Sequence, residues 1–175
     1  KVTHPTVISS LATSSLEKAV SEFNEAPPLV RKGKNLPPRI RVGNKSYAVV
    51  RELGTGADGV VFEVTDGTTR KVVKKYWSEG FELGNLAKFA ELKKAGFRVP
   101  EVYEVDKTKR TVLMEFVRGV PCDFLQNSKA LASEERQQAA SDYTAFWKIA
   151  GKFAELEPQN VLVEVATGQF VIIDP

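Results

Sequence analysis

The sequence predicts an α+β fold, in which a five-stranded antiparallel sheet with one helix is followed by a reduced, mainly helical part. Three observations predict it. Short runs rich in β-branched and aromatic residues, separated by turn signals, dominate residues 46–117. One pattern of helical period, at about residues 79–94, stands between the third and fourth runs. Beyond residue 118 the apolar spacing is mostly helical. We therefore divide the chain into an N-terminal extension (1–45), a sheet region (46–117) and a helical region (118–175).

The N-terminal extension contains a predicted short helix and a linker. Ser14 and Glu17 have the spacing of a capping box. Apolar residues then recur at helical spacing, at Leu16, Ala19, Val20 and Phe23. Pro27 and Pro28 end this helix, because proline lacks a backbone donor. The basic and proline-containing residues 31–38 indicate a solvated linker.

The elements of the other two regions follow from the same signals. The five predicted strands are Tyr47–Leu53, Val60–Val64, Lys71–Tyr76, Glu101–Val105 and Thr111–Phe116. The helix between the third and fourth strands covers about Glu79–Lys94, and Gly96 ends it. Helical structure resumes near Ser128, with a long helix from Ser133 to about Lys152. Two short strands, Val161–Val163 and Phe170–Ile173, follow it.

Composition excludes several classes of protein. The 175 residues have a net charge of only +3, so we expect no nucleic-acid partner. No apolar run approaches the ~20 residues that span a bilayer, so we expect no membrane segment. The single cysteine, Cys122, rules out an intramolecular disulfide framework and suits an intracellular, reducing compartment. These features fit a single globular domain, and we expect the protein to be a monomer.

The most informative motif is the glycine-rich stretch between the first two predicted strands. Gly54, Gly56 and Gly59 have the spacing G-x-G-x-x-G, and a valine follows at position 61. Backbone N–H groups of glycines can approach phosphates closely because no Cβ intervenes. In a dinucleotide-binding fold such glycines lead from a strand into a helix, whereas here a second strand and then a lysine-bearing third strand follow. This order resembles the nucleotide-binding lobe of protein kinases.

The resemblance implies ATP as the nucleotide and assigns residues to it. Lys74, in Lys71-Val72-Val73-Lys74, matches the lysine that orients the α- and β-phosphates, and its carboxylate partner on the next helix is expected to be Glu82, with Glu79 as the alternative. Met114 matches the gatekeeper, while the Glu115 carbonyl and the Val117 N–H would contact adenine. Candidate apolar residues against the adenine ring are Val61, Val72 and Leu162.

A second stretch supports the same resemblance. Residues 155–163, Glu-Leu-Glu-Pro-Gln-Asn-Val-Leu-Val, resemble the kinase catalytic loop H-R-D-L-K-P-E-N-I-L-L. Asp174, fourteen residues after Asn160, stands where the family has its metal-binding Asp-Phe-Gly. Asn160 and Asp174 are therefore the predicted Mg²⁺ ligands, because hard cations take oxygen donors.

The departures from the family pattern concern catalysis. Glu155 occupies the position of the catalytic aspartate, and Phe153 replaces the usual histidine. Glutamate has nearly the same pKa as aspartate but reaches one methylene farther. Glu155 could therefore be a working base, a weakened base, or the mark of a pseudokinase. Asp174 is followed by Pro175 instead of Phe-Gly, so we expect either a longer native chain or an unusually short kinase.

The whole set of motifs predicts a Ser/Thr protein kinase that uses ATP and Mg²⁺. The short kinase-like region resembles the minimal kinases that bacterial pathogens inject through type III secretion. That resemblance implies a host-protein substrate, either a chaperone or a ubiquitin-pathway protein, and action in the host cytoplasm. Residues 95–102, Ala-Gly-Phe-Arg-Val-Pro-Glu-Val, also resemble aminoglycoside and choline kinases. A small-molecule kinase and a pseudokinase that serves as a binding module therefore stay open as alternatives.

Overall fold

The computed structural model describes residues 8–25, 36–78 and 81–175. The described residues form two compact units. The sheet unit consists of residues 36–78, 81–84 and 100–116. The helical unit consists of residues 8–25, 85–99 and 117–175.

The sheet unit is built on an antiparallel sheet of six strands. The strands are β1 (Arg39–Val42), β2 (Lys45–Thr55), β3 (Gly59–Thr65), β4 (Arg70–Tyr76), β5 (Val102–Asp106) and β6 (Thr111–Glu115). Their order is β1-β2-β3-β4-β6-β5, and every neighbouring pair is antiparallel. The five predicted strands correspond to β2–β6.

The prediction of five strands is wrong by one, because β1 forms where the sequence indicated the N-terminal extension. Ile40 and Val42 are buried while Arg39 and Arg41 are exposed, which is the alternation of a half-buried strand. Gly43, at φ 60°, makes the turn into β2. Two cycles of alternation beside a proline-containing stretch are too few to be read as a strand from sequence. Antiparallel pairing with β2 stabilises these four residues as a strand.

β1 also contacts the opposite edge of the sheet, so the sheet is curled. The Gly43 N–H donates to Asp106 Oδ2 at 2.8 Å, and Lys109 Nζ donates to the Gly43 carbonyl at 3.2 Å. Thr111 Oγ1 donates to the Arg41 carbonyl at 3.3 Å. These contacts join the turn after β1 to the β5–β6 turn, and they hold the two edges of the sheet together.

One face of the curled sheet carries an apolar core. Its buried members are Ile40, Val42, Tyr47, Val60, Phe62, Val64, Val73 and Leu113. Strand side chains alternate between the two faces. Because β3 and β4 pair without a bulge, Val61, Glu63, Val72 and Lys74 lie on the other face.

The helical unit combines helices with a small sheet. It contains α1 (Thr13–Glu25), residues 85–94 of α2 (Phe81–Lys94), α3 (Cys122–Asn127), α4 (Ser133–Ala150) and a 3₁₀ helix (Pro158–Asn160). Strands β7 (Gly119–Pro121), β8 (Val161–Glu164) and β9 (Phe170–Ile172) form an antiparallel sheet in the order β7-β8-β9. In the described part of the chain, no helix is long and apolar enough to cross a membrane.

Two elements of the helical unit differ from the sequence prediction. Strand β7 was not predicted, since three residues show no period. It requires Gly119, because a Cβ there would lie 2.7 Å from the Val163 carbonyl oxygen. Helical structure begins at Cys122, before the predicted start near Ser128.

Aromatic contacts and α1 consolidate the helical unit. Phe146 stacks on Phe170 with 4.6 Å between ring centroids, and Phe97 contacts Phe146 edge-on. Helix α1 is attached by a bidentate pair between Glu17 and Arg118, at 2.9 and 2.7 Å. The helix therefore packs as part of this unit.

Candidate functional site

The glycine-rich loop is a tight turn between β2 and β3. The Gly56 N–H donates to the Gly59 carbonyl at 2.9 Å, which closes the turn. Trp77, just after β4, fixes the turn from the side. Its backbone N–H donates to the Asp58 carbonyl, and its indole Nε1–H donates to the Gly56 carbonyl, both at 3.0 Å. The loop is thus held by its own backbone and by one tryptophan.

The three glycines of the loop meet different surroundings. A Cβ on Gly59 would lie 2.3 Å from the Lys75 carbonyl oxygen, so strand packing requires glycine there. A Cβ on Gly54 would meet nothing within 4 Å, and one on Gly56 would lie 3.7 Å from Asp58 Oδ1. Packing therefore does not require Gly54 or Gly56. The need for a small residue at these two positions would come from a ligand that approaches the backbone.

Lys74 is a buried lysine on the strand that follows the loop. It pairs directly across from Val61, and its Nζ lies 3.1 Å from Asp58 Oδ2. The ammonium also lies 4.9 Å from the centroid of the Tyr76 ring. Lys75, the next residue, is exposed. A charge held inside the unit, beside a glycine loop, is positioned to meet an anion.

The carboxylate predicted to pair with Lys74 lies outside the described side chains. Glu82 belongs to α2, but its side chain lies outside the described residues, and Glu79 lies outside them altogether. Sequence reasoning gave no role to Asp58, the carboxylate that contacts Lys74 in the described structure. An acidic residue in a loop of otherwise small residues was the available signal.

The face that carries Lys74 also holds the predicted adenine contacts of the sheet unit. Val72 pairs with Met114, which is buried, and Val61 is half-buried beside them. The Glu115 N–H, at the end of β6, donates to the Glu101 carbonyl at 2.8 Å. The structure therefore brings Val61, Val72 and Met114 to one face of the sheet. Val117 and Leu162 lie in the helical unit.

Glu63 is a second charged residue on this face, and sequence reasoning missed it. Its side chain is only 2% exposed and accepts a hydrogen bond from Arg51 Nε at 2.9 Å. Arg70 Nε lies 3.7 Å from its other oxygen. The sequence of β3 offered no signal for it, because polar residues that alternate with apolar ones usually face water.

The predicted metal ligands lie at one end of a hairpin in the helical unit. Asn160 ends the 3₁₀ helix, directly before β8, and Asp174 follows β9 by two residues. Val161 pairs with Ile172, and the Ile173 N–H donates to the Asn160 carbonyl at 3.0 Å. The backbone thus brings Asn160 and Asp174 to the same end of the β8–β9 pair. An amide oxygen and a carboxylate fit Mg²⁺, which takes few protein ligands and completes its shell with water and phosphate.

Glu155 precedes the 3₁₀ helix in a segment anchored by its neighbours. Ala154 and Leu156 are buried, while Glu155 is exposed. The Ala154 N–H donates to the Ala150 carbonyl at the end of α4. The segment is therefore fixed while the Glu155 carboxylate stays in contact with solvent.

Comparison with known proteins identifies the fold. No protein-family model matches the chain, and no curated protein matches it. Solved structures do match, among them three mutants of the PknI kinase domain from Mycobacterium tuberculosis. A single mutant is 16% identical with a TM-score of 0.50, over 81% of this chain and 62% of that one. One double mutant is 17% identical with a TM-score of 0.51, over 81% of this chain and 62% of that one. The other double mutant is 16% identical with a TM-score of 0.51, over 80% of this chain and 63% of that one.

These matches show a protein-kinase-like fold with a curled antiparallel sheet like that of a kinase N-terminal lobe. The sequence prediction of that fold is confirmed. The chain spans about 62% of the length of these kinase domains. At such low identity the likeness establishes the fold alone, because one fold serves many functions.

Proposed function

We propose that the protein is a phosphotransferase that uses ATP and Mg²⁺ to phosphorylate serine or threonine hydroxyls of a protein substrate. One observation carries the proposal. A buried lysine, Lys74, lies beside the turn of a glycine-rich hairpin, in a chain with a protein-kinase-like fold. The Asp58 carboxylate compensates this ammonium in the structure, and in protein kinases the lysine of this strand also meets the phosphates of the nucleotide.

The proposed roles in nucleotide binding are those that the resemblance to protein kinases implies. The backbone at Gly54 and Gly56 would cover the phosphates, since no Cβ blocks their approach. Lys74 would orient them, with Glu82 as its proposed partner. Val61, Val72, Met114 and Leu162 would hold the adenine ring, and the Glu115 carbonyl and Val117 N–H would bind its edge.

The proposed roles in transfer fall to the helical unit. Asn160 and Asp174 would hold Mg²⁺, which neutralises phosphate oxygens when it is bound. Glu155 would accept the proton of the attacking hydroxyl. A carboxylate that contacts solvent suits that role, because it is accessible to a protein substrate.

The identity of the substrate is proposed from the resemblance to short effector kinases. We propose a host protein, either a chaperone or a member of the ubiquitin pathway, phosphorylated in the host cytoplasm by a monomeric enzyme. The exposed position of Glu155 supports a protein acceptor, since a large acceptor must reach the base directly.

The experiment that tests the proposal is transfer of labelled phosphate from ATP, with Mg²⁺, into a eukaryotic lysate. The informative variant is Lys74→Ala, and its matched control is Lys75→Ala, which removes the same charge from the exposed neighbour. We expect Lys74→Ala to abolish labelling and Lys75→Ala to retain it. Equal labelling in the two variants would contradict the assignment of Lys74.

A second pair of variants tests the base. Glu155→Gln should lower the rate of transfer by about 10²- to 10⁴-fold, the usual contribution of a general base. Glu157→Gln, two residues along the same segment, is the control and should stay active. Labelling of an added alcohol or aminoglycoside, with none of any protein, would instead identify a small-molecule kinase. Nucleotide binding without any transfer would identify a pseudokinase.

A further inference from the structure

Asp58 places a negative charge where the proposed function expects phosphate. It is the one acidic residue among Gly54–Gly59, and its Oδ2 lies 3.1 Å from the Lys74 ammonium. The Lys74 side chain is 7% exposed and that of Asp58 is 27% exposed, so water screens the pair only partly. The carboxylate therefore competes with any other anion for the same lysine.

The position of this carboxylate comes from the loop itself. The Asp58 carbonyl accepts the Trp77 N–H, and the turn is closed by the bond from Gly56 to Gly59. Asp58 Oδ1 would lie 3.7 Å from a Cβ on Gly56, so the carboxylate stands beside the backbone proposed to cover phosphates. Because the loop is fixed in this way, the Asp58 carboxylate stays beside the proposed phosphate site as long as the turn is intact.

We propose that Asp58 makes the nucleotide site select a metal-bound polyphosphate over a metal-free one. The inference rests on the proposed function. A metal-free polyphosphate at Lys74 brings several negative charges close to the Asp58 carboxylate, and like charges at such distances repel strongly in a partly buried site. A divalent cation on the polyphosphate cancels much of that repulsion. Asp58 would thus penalise the free nucleotide far more than the metal complex.

A purely structural role for Asp58 predicts a different result. If the carboxylate only held the loop in shape, its loss would change the affinity for both forms of the nucleotide by the same factor. A selective role changes their ratio. The ratio of the two dissociation constants is therefore the decisive quantity.

The experiment measures the Kd of ADP by calorimetry, with Mg²⁺ and with a chelator, for the unsubstituted protein and for Asp58→Asn. Asparagine keeps the size of the side chain and can still accept a hydrogen bond from Lys74, but it has no charge. Glu134→Gln, on the exposed first turn of α4, changes the net charge equally and serves as the control. We expect Asp58→Asn to bind metal-free ADP about tenfold more tightly, and the metal complex with a smaller change.

A fluorescence measurement gives an independent view of the loop. Trp77 donates to Gly56 and the other tryptophan is Trp147, so Trp147→Phe leaves Trp77 as the sole indole emitter. In this background, metal-free ADP should change Trp77 emission at lower concentration in Asp58→Asn than in the parent protein.

The outcomes separate this inference from the proposed function. Unchanged affinities in Asp58→Asn, or equal shifts for both forms of ADP, would overturn the inference. If ADP still bound in a Mg²⁺-dependent way, the proposed function would stand. Binding of ADP by Asp58→Asn alone, with and without Mg²⁺, would overturn both, because the natural chain would then bind neither form. Absence of binding in every variant would overturn both.

Discussion

Removal of Arg51 should destabilise the sheet unit, because it would leave the Glu63 carboxylate buried beside a weak partner. Glu63 is 2% exposed, and Arg51 Nε lies 2.9 Å from Oε1. The other cation, Arg70, lies 3.7 Å away and is 66% exposed, whereas Arg51 is 31% exposed. Arg51 therefore makes the stronger and less screened contact.

The magnitudes follow from this difference in geometry. Loss of one partner of a buried pair costs about 3–5 kcal/mol. Arg51 is partly exposed and Arg70 remains, so we expect Arg51→Met to lower the free energy of unfolding by about 2–3 kcal/mol. Arg70→Met is the matched control and should lower the free energy of unfolding by less than about 1 kcal/mol, because exposed ion pairs contribute little to stability.

The assay is urea unfolding followed by Trp77 emission in the Trp147→Phe background. Trp77 lies in the sheet unit, so its emission reports on the unit that contains Glu63. Adding Glu63→Gln to Arg51→Met should recover part of the loss, because a neutral amide is cheaper to bury than an unpaired carboxylate. Equal losses for Arg51→Met and Arg70→Met, or no recovery in the double variant, would refute the reasoning.

Two further predictions concern the loop and the curled edge. Gly59→Ala should lower the free energy of unfolding in urea by about 1–3 kcal/mol, because its Cβ would meet the Lys75 carbonyl. Gly54→Ala should leave that free energy unchanged, but it should weaken nucleotide binding as measured by calorimetry. Similar unfolding midpoints for these two variants would contradict the steric argument. Backbone N–H groups of Lys109 and Gly43 lower the pKa of Asp106, so its stabilising effect is present above the unfolded pKa and is lost as the pH falls through the lower folded value. Stability between about pH 5 and about pH 3 should therefore fall less steeply in Asp106→Asn than in the unsubstituted protein, and equal slopes would exclude Asp106 as a contributor.

Local signals predicted most of the sheet. The turn between β3 and β4 was readable as Asp66-Gly67, and the structure explains why. Asp66 Oδ1 accepts the N–H groups of Thr68 and Thr69 at 2.8 Å, and Gly67 adopts φ 100°. These interactions lie within four residues, so the sequence alone carries them. All five predicted strands were found for the same reason.

Long-range interactions account for what the sequence did not predict. Strand β1 depends on contacts from Gly43 to Asp106, sixty-three residues along the chain. Glu63 was unremarkable as a strand residue until the fold placed Arg51 beside it. In the candidate site, Lys74 and the glycines carried a recognisable spacing. The role of Asp58 depends on a contact sixteen residues away that no spacing rule describes.

The two faces of the sheet differ in a way that stability alone does not explain. Val60, Phe62 and Val64 on β3 are buried on the core face, where apolar side chains pack together. The opposite face of β3 and β4 holds Glu63 and Lys74, each buried with a partner of opposite charge. Replacing a buried ion pair with apolar residues of similar volume is often neutral or stabilising, so a face selected only for packing would resemble the core face. The proposed function would account for the buried charge of Lys74, because a polyphosphate is a ligand that the glycine loop beside it could accommodate.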